Sequence, residues 1–133
     1  TSPEDAANAL RCARAMLTTV DEWNGRREAA GFPVVRLSVG AHFGPIVMGD
    51  VGSERRLEFA VIGDTVNVAS RLEESTRTVG CRLIVSDALM RAVQDSKPDD
   101  LSVLRADVTP YEGLSLRGRE GSVDVWVLGE GDD

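Results

Sequence analysis

Asn67 and Arg71 stand four residues apart in the segment IGDTVNVASRLE, residues 62–73, among small and apolar neighbours. That interval puts both side chains on one face of a helix. Arginine is permanently charged and can grip phosphate oxygens through two parallel N–H donors. Asparagine offers both a donor and an acceptor, which suits a sugar oxygen. A helix start already favours anions through its unpaired backbone N–H groups. The pair therefore has the chemistry to hold a nucleotide, with one group for a phosphate and one for a ribose. An isolated N-x-x-x-R is more often a plain solvated helix face, so the elements around it must decide.

Those elements are legible. Gly63 allows a tight turn from strand to helix, and Asp64 is a predicted N-cap. Val68, Ala69 and Leu72 fall on the side away from Asn67 and Arg71, and Gly80 suits the C-cap. Upstream, Ser2, Pro3, Glu4 and Asp5 open a long helix whose apolar face is expected to hold Ala6, Ala9, Leu10, Ala13, Met16, Leu17, Val20 and Trp23. Gly31 and Pro33 end it. Leu37, Val39, Ala41 and Phe43 alternate with Arg36, Ser38, Gly40 and His42, predicting a strand over 35–43 that bends at Gly44-Pro45. The turn chemistry of GDVGSERR and the apolar LEFAVIG predict a second strand paired with the first as an antiparallel hairpin. After the Asn/Arg helix, CRLIVSD reads as a buried strand and ALMRAV as a brief helix capped by Ser86 or Asp87. The tail from Leu101 reads as two strands around a turn at LRGREGS. The order α, β, β, α, β, α, β, β is that of one α+β domain, with helices layered on a largely antiparallel sheet.

Composition excludes several classes. The chain has 133 residues, 42% hydrophobic and 28% charged, an ordinary globular balance. The net charge of −7 argues against nucleic acid as a partner, because such a surface must displace counterions from phosphate. A small phosphate ligand needs only a few local cations. No apolar run reaches the length of a membrane segment and no leader pattern opens the chain, so a cytoplasmic setting is expected. Cys12 and Cys81 have no Cys or His partner at metal-ligand spacing and read as small buried apolar residues. His42 reads as a structural or surface histidine, and Trp23 and Trp126 as packing residues.

The stretches VGAHFGPIVMGDVGS and EFAVIGDTVNVASRLE, with the flanking helix and the final strand pair, resemble the C-terminal portion of the class III nucleotidyl cyclase catalytic domain. This is the family of adenylyl and guanylyl cyclases. The resemblance implies a ferredoxin-like nucleotidyl cyclase fold, partial over residues 1–133. It implies a parent protein that converts ATP, ahead of GTP, into the 3′,5′-cyclic nucleotide and pyrophosphate. Asn67 would then orient the ribose. Arg71 would neutralise charge on the α-phosphate as the 3′-hydroxyl attacks and pyrophosphate leaves, a step that rests mostly on positioning and charge stabilisation. Arg117 or Arg119, in the loop SLRGREGSVDVW, would hold the triphosphate tail.

At the purine position, seven residues before Asn67, the family commonly has Asp or Thr; this chain has Ala60, whose side chain cannot read a base by hydrogen bonding. The family binds Mg²⁺ or Mn²⁺ through two aspartates that lie upstream of the matched stretches, and no D-I-x-G-F-type strand occurs here. By resemblance, then, the metal ligands are not in this chain. It would supply the Asn/Arg half of a site completed by a second cyclase subunit, a homodimer in the parent, and would be inactive alone. The competing expectation, from a different class, is a non-catalytic dimerisation or regulatory module derived from the same fold.

Overall fold

In a computed structural model of the chain, the described residues are 3–45, 47–53, 56–62, 64–116 and 121–129, and for 47–53 and 56–62 the description is confined to the backbone. The chain runs through α1 (Pro3–Ala29), β1 (Val39–Ala41), β2 (Val47–Ser53), β3 (Arg56–Ile62), α2 (Asp64–Val79), β4 (Leu83–Ser86), α3 (Asp87–Asp95), α4 (Leu101–Leu104), β5 (Val108–Ser115) and β6 (Ser122–Leu128). The main sheet has the order β1-β4-β6-β5. Its first pair is parallel and the other two are antiparallel, so the α+β sheet is mixed. β2 and β3 form their own antiparallel ladder, from Val47 opposite Ile62 to Ser53 opposite Arg56.

β4 explains how the layers assemble. All four of its residues are buried. Leu83 and Val85 face a core built with Ala6, Leu10, Leu17, Leu89 and Leu104, from α1, α3 and α4. Ile84, between them, faces the opposite side and packs with Val68 and Leu72 of α2, Leu114 and Val125. The period of two sends alternate side chains to opposite faces. Helices therefore cover both faces of the sheet.

The caps follow local chemistry. Gly80 takes φ +81, a left-handed value glycine adopts without a Cβ penalty, and its N–H donates to the Thr76 carbonyl at 2.9 Å. Ser86 is the N-cap of α3, with its hydroxyl oxygen accepting from the Leu89 N–H at 3.1 Å.

Several expectations are corrected. The strand predicted over 35–43 is only Val39–Ala41, and it lies parallel to β4 instead of joining the hairpin. Gly44-Pro45 breaks the run, since proline has no N–H for a ladder, and β2 begins afresh at Val47. Leu101–Leu104 is a helical turn, not strand. A turn sets Leu101 and Leu104 on one side, where both pack on the core, and leaves Val103 62% exposed. Along α1 the buried stripe is Ala6, Ala7, Leu10, Ala13 and Leu17, while Ala9, Met16 and Trp23 are exposed and Val20 is half-buried. The Trp23 ring instead lies under Arg27, whose guanidinium carbon is 4.9 Å from its centroid. Trp126 does pack on the core, and its Nε1 donates to Asp87 Oδ1 at 3.1 Å.

Cys12 is exposed, against expectation. Two residues beyond Leu10, it is turned about 200° from the buried stripe. Cys81 is buried as expected, and burial pushes its thiol up to about 11, opposed in part by a backbone hydrogen bond at Leu83. No helix among the described residues is long and apolar enough to cross a membrane.

Candidate functional site

The site is built on α2. Thr65, Val68, Leu72 and Thr76 form its buried stripe, spaced three and four residues apart. Burying that stripe turns the opposite face outward. Asn67 is exposed there, and the Arg71 side chain is 36% exposed. The structure thus brings the two residues to one outward face, as their spacing predicted. Asp64, the expected cap, is the first residue of α2. A carboxylate in the first turn still favours the positive end of the helix dipole.

Two contacts fix where α2 lies. The first is with Gly40 of β1. A Cβ built on Gly40 would sit 2.3 Å from the Glu73 nitrogen and 2.7 Å from the Ala69 carbonyl oxygen. Strand backbone therefore runs directly against helix backbone, which only glycine permits. In the second, Thr65 Oγ1 donates to the Pro45 carbonyl and ties the first turn of α2 to the segment that leaves β1.

Arg71 has a partner that the sequence reading did not name. Its Nη1 donates to Glu74 Oε1 at 3.0 Å and to Oε2 at 3.3 Å. The spacing of three on a helix was the available signal. Both side chains are more than a third exposed, so the pair is worth only a few tenths of a kcal/mol. A phosphate could replace the carboxylate at little cost. A surface cavity of about 430 Å³ adjoins this end of α2, lined by Glu74, Ser75, Arg77, Thr78 and Ser115. Glu73, also unnamed from sequence, has Oε2 shielded from solvent without a hydrogen-bond partner among the described residues.

The description does not reach the side chains of the other expected substrate-binding residues. Ala60 lies in β3, opposite Gly49 in the ladder, and its side chain is outside the description. Arg117 and Arg119 lie outside the described residues. His42 is half-buried, with Nδ1 2.7 Å from Ser86 Oγ. Among the described residues no group of three or more His, Cys, Asp or Glu converges to hold a metal. The divalent ion expected of the family thus finds no ligand set in them.

The chain belongs to the adenylate and guanylate cyclase catalytic domains, whose family pattern matches residues 1–129. It is 39% identical over 123 residues to adenylate cyclase 1 of Rhizobium meliloti, covering 92% of this chain and 17% of that protein. It is 31% identical over 124 residues to the adenylate cyclase of Anabaena cylindrica, covering 90% of this chain and 24% of that one. Among solved structures, the adenylyl cyclase CyaB from P. aeruginosa superposes with a TM-score of 0.77 at 18% identity, which bears on the fold alone. A guanylyl cyclase crystal structure superposes at 0.74 with 26% identity. Each superposition covers 99% of this chain and 62% of the other.

Proposed function

We propose that this chain supplies the transition-state half of a purine nucleotide cyclase site. Asn67 orients the ribose, and Arg71 stabilises charge on the α-phosphate as the 3′-hydroxyl attacks and pyrophosphate departs. The observation that carries the reading is the shared outward face of Asn67 and Arg71 on a helix otherwise buried against the sheet. Arginine there can exchange the Glu74 carboxylate for phosphate oxygens without a buried-charge penalty. ATP is the substrate ahead of GTP, since the relatives named above at 39% and 31% identity are adenylate cyclases. Cyclases use divalent metals. Among the described residues no group of three or more His, Cys, Asp or Glu converges on one, and the proposal places Mg²⁺ or Mn²⁺ with the aspartates of a second cyclase subunit. A cytoplasmic setting, with its nucleotide pool, suits this reading.

A second reading, a non-catalytic dimerisation or regulatory module, draws on the same ion pair: Arg71 already has a carboxylate partner within the chain. One experiment separates the two. The chain is mixed with a cyclase subunit that keeps the metal aspartates but lacks the Asn and Arg, and cyclic nucleotide is measured with ATP and Mn²⁺. The catalytic reading expects activity from the mixture, none from the chain alone, and none after Arg71→Ala. Equal activity with Arg71→Ala, or no activity from any mixture that demonstrably associates, favours the module.

A further inference from the structure

His42 ends the parallel edge of the sheet. The β1–β4 ladder closes with Ala41 opposite Val85, and the next residues on each strand, His42 and Ser86, continue it through their side chains. His42 Nδ1 lies 2.7 Å from Ser86 Oγ, and Ser86 is 5% exposed. The same oxygen accepts from the Leu89 N–H at 3.1 Å and so caps α3. The ring's other side turns toward α2. A Cβ on Gly44 would lie 3.5 Å from His42 Nε2 and 2.7 Å from Thr65 Oγ1, so ring, glycine and threonine meet at one junction. Thr65 in turn donates to the Pro45 carbonyl. The segment His42–Pro45 is therefore pinned at one end to the cap of α3 and at the other to the first turn of α2. Asn67 stands two residues beyond Thr65.

The geometry points to His42 as a positioning residue for Asn67 and Arg71. The far end of α2 is held in the core by Leu72 and Thr76, while its first turn is held by Thr65, Val68 and the pinned segment. Loosening the His42–Ser86 link frees that segment and lets the start of α2 shift. A displacement of about 1 Å at a reacting centre can cost on the order of 100-fold in rate. The consequence for rate rests on the function proposed above; the mechanical claim does not.

The test is hydrogen exchange on the 133-residue chain, which reports position without any activity. His42→Leu should speed exchange of the Val68 and Ala69 amides, the first with partners inside the helix, by about 10-fold or more. Leu72 through Thr76 should change by less than about threefold. His42→Asn, which keeps a polar atom near the place of Nδ1, should restore most of the protection. Should His42→Leu fail to fold, Ser86→Gly removes the same hydroxyl while costing the α3 cap only slightly, and it should loosen the same two amides. In the mixed-subunit assay these variants should lower kcat with little change in KM, and His42→Asn should recover it. Unchanged exchange at Val68 and Ala69, or a uniform rise across all of α2 that His42→Asn fails to correct, would overturn the assignment. If exchange responds as expected but no mixture is active, the proposed function fails and the positioning claim stands.

Discussion

Gly40→Ala should be among the most damaging single-methyl additions this domain can take. The new Cβ would stand 2.3 Å from the Glu73 nitrogen, 2.7 Å from the Ala69 oxygen and 2.8 Å from the Glu73 Cα. Ordinary contact between such atoms is about 3.5 Å, so strand and helix must part by roughly 1 Å. All three neighbours are backbone, and no side-chain rotation can relieve the clash. β1 cannot retreat readily, because Gly40 pairs with Ile84 of the buried strand β4. The helix must move, and with it Leu72 loses contact in its core. Overpacking of this kind costs about 1–3 kcal/mol, which for a domain of this size lowers Tm by on the order of 10 °C.

The same shift displaces Asn67 and Arg71, on whose placement the proposed function rests. Activity in the mixed-subunit assay should therefore fall by more than the loss of folded protein accounts for. The control is the same substitution elsewhere. Gly25 lies inside α1 with nothing within 4 Å of a built Cβ, so Gly25→Ala should stabilise by about 0.5–1 kcal/mol. Urea melts of both variants give the comparison. A Gly40→Ala midpoint equal to that of the parent chain would refute the backbone-on-backbone contact.

Arg71→Ala should leave stability within about 0.5 kcal/mol, since its ion pair is exposed, yet lower mixed-subunit turnover by about 10³-fold; Asn67→Ala should act the same way but more mildly. Leu72→Ala, at a side chain with no exposure, should cost about 2–5 kcal/mol in a urea melt. Ellman's reagent at pH 8 should modify the exposed Cys12 quickly and reach Cys81 only on unfolding. The folded Cys81 thiol titrates near 11, above its ordinary 9.0, so its contribution to stability is complete below pH 9 and is lost as pH rises through 11. That contribution is on the order of 2 kcal/mol, and Cys81→Ala should flatten the decline in stability measured between those pH values.

Much of the candidate site was legible because it is local. Asn67, Arg71, Val68 and Leu72 lie within six residues, and the helical period alone sorts them into an outward and a buried face. The same holds for the Gly80 cap and for the start of α3, read as capped by Ser86 or Asp87. Even the burial of β4 followed from the apolar run Leu83, Ile84 and Val85. The Arg71–Glu74 pair was local as well, and the helical spacing of three signals it.

Other features needed the fold. The alternation of Leu37, Val39, Ala41 and Phe43 announces a strand, but the pattern says nothing about which strand it will join. Only the assembled sheet set β1 beside β4, 44 residues away in register, and left the hairpin to itself. His42 had no chemical neighbour in sequence, since Ser86 reaches it solely because those two strands are adjacent. Gly40 looked like one more small residue until α2 was laid across it. The sequence by itself determined α1, α2 and α3, the buried stripe of α2 and the Asn/Arg pair on its other face, because those depend on backbone periodicity and capping over a few residues. Which elements touch, and so what holds that pair in place, depends on how distant apolar faces share one core, and only the tertiary structure decided it.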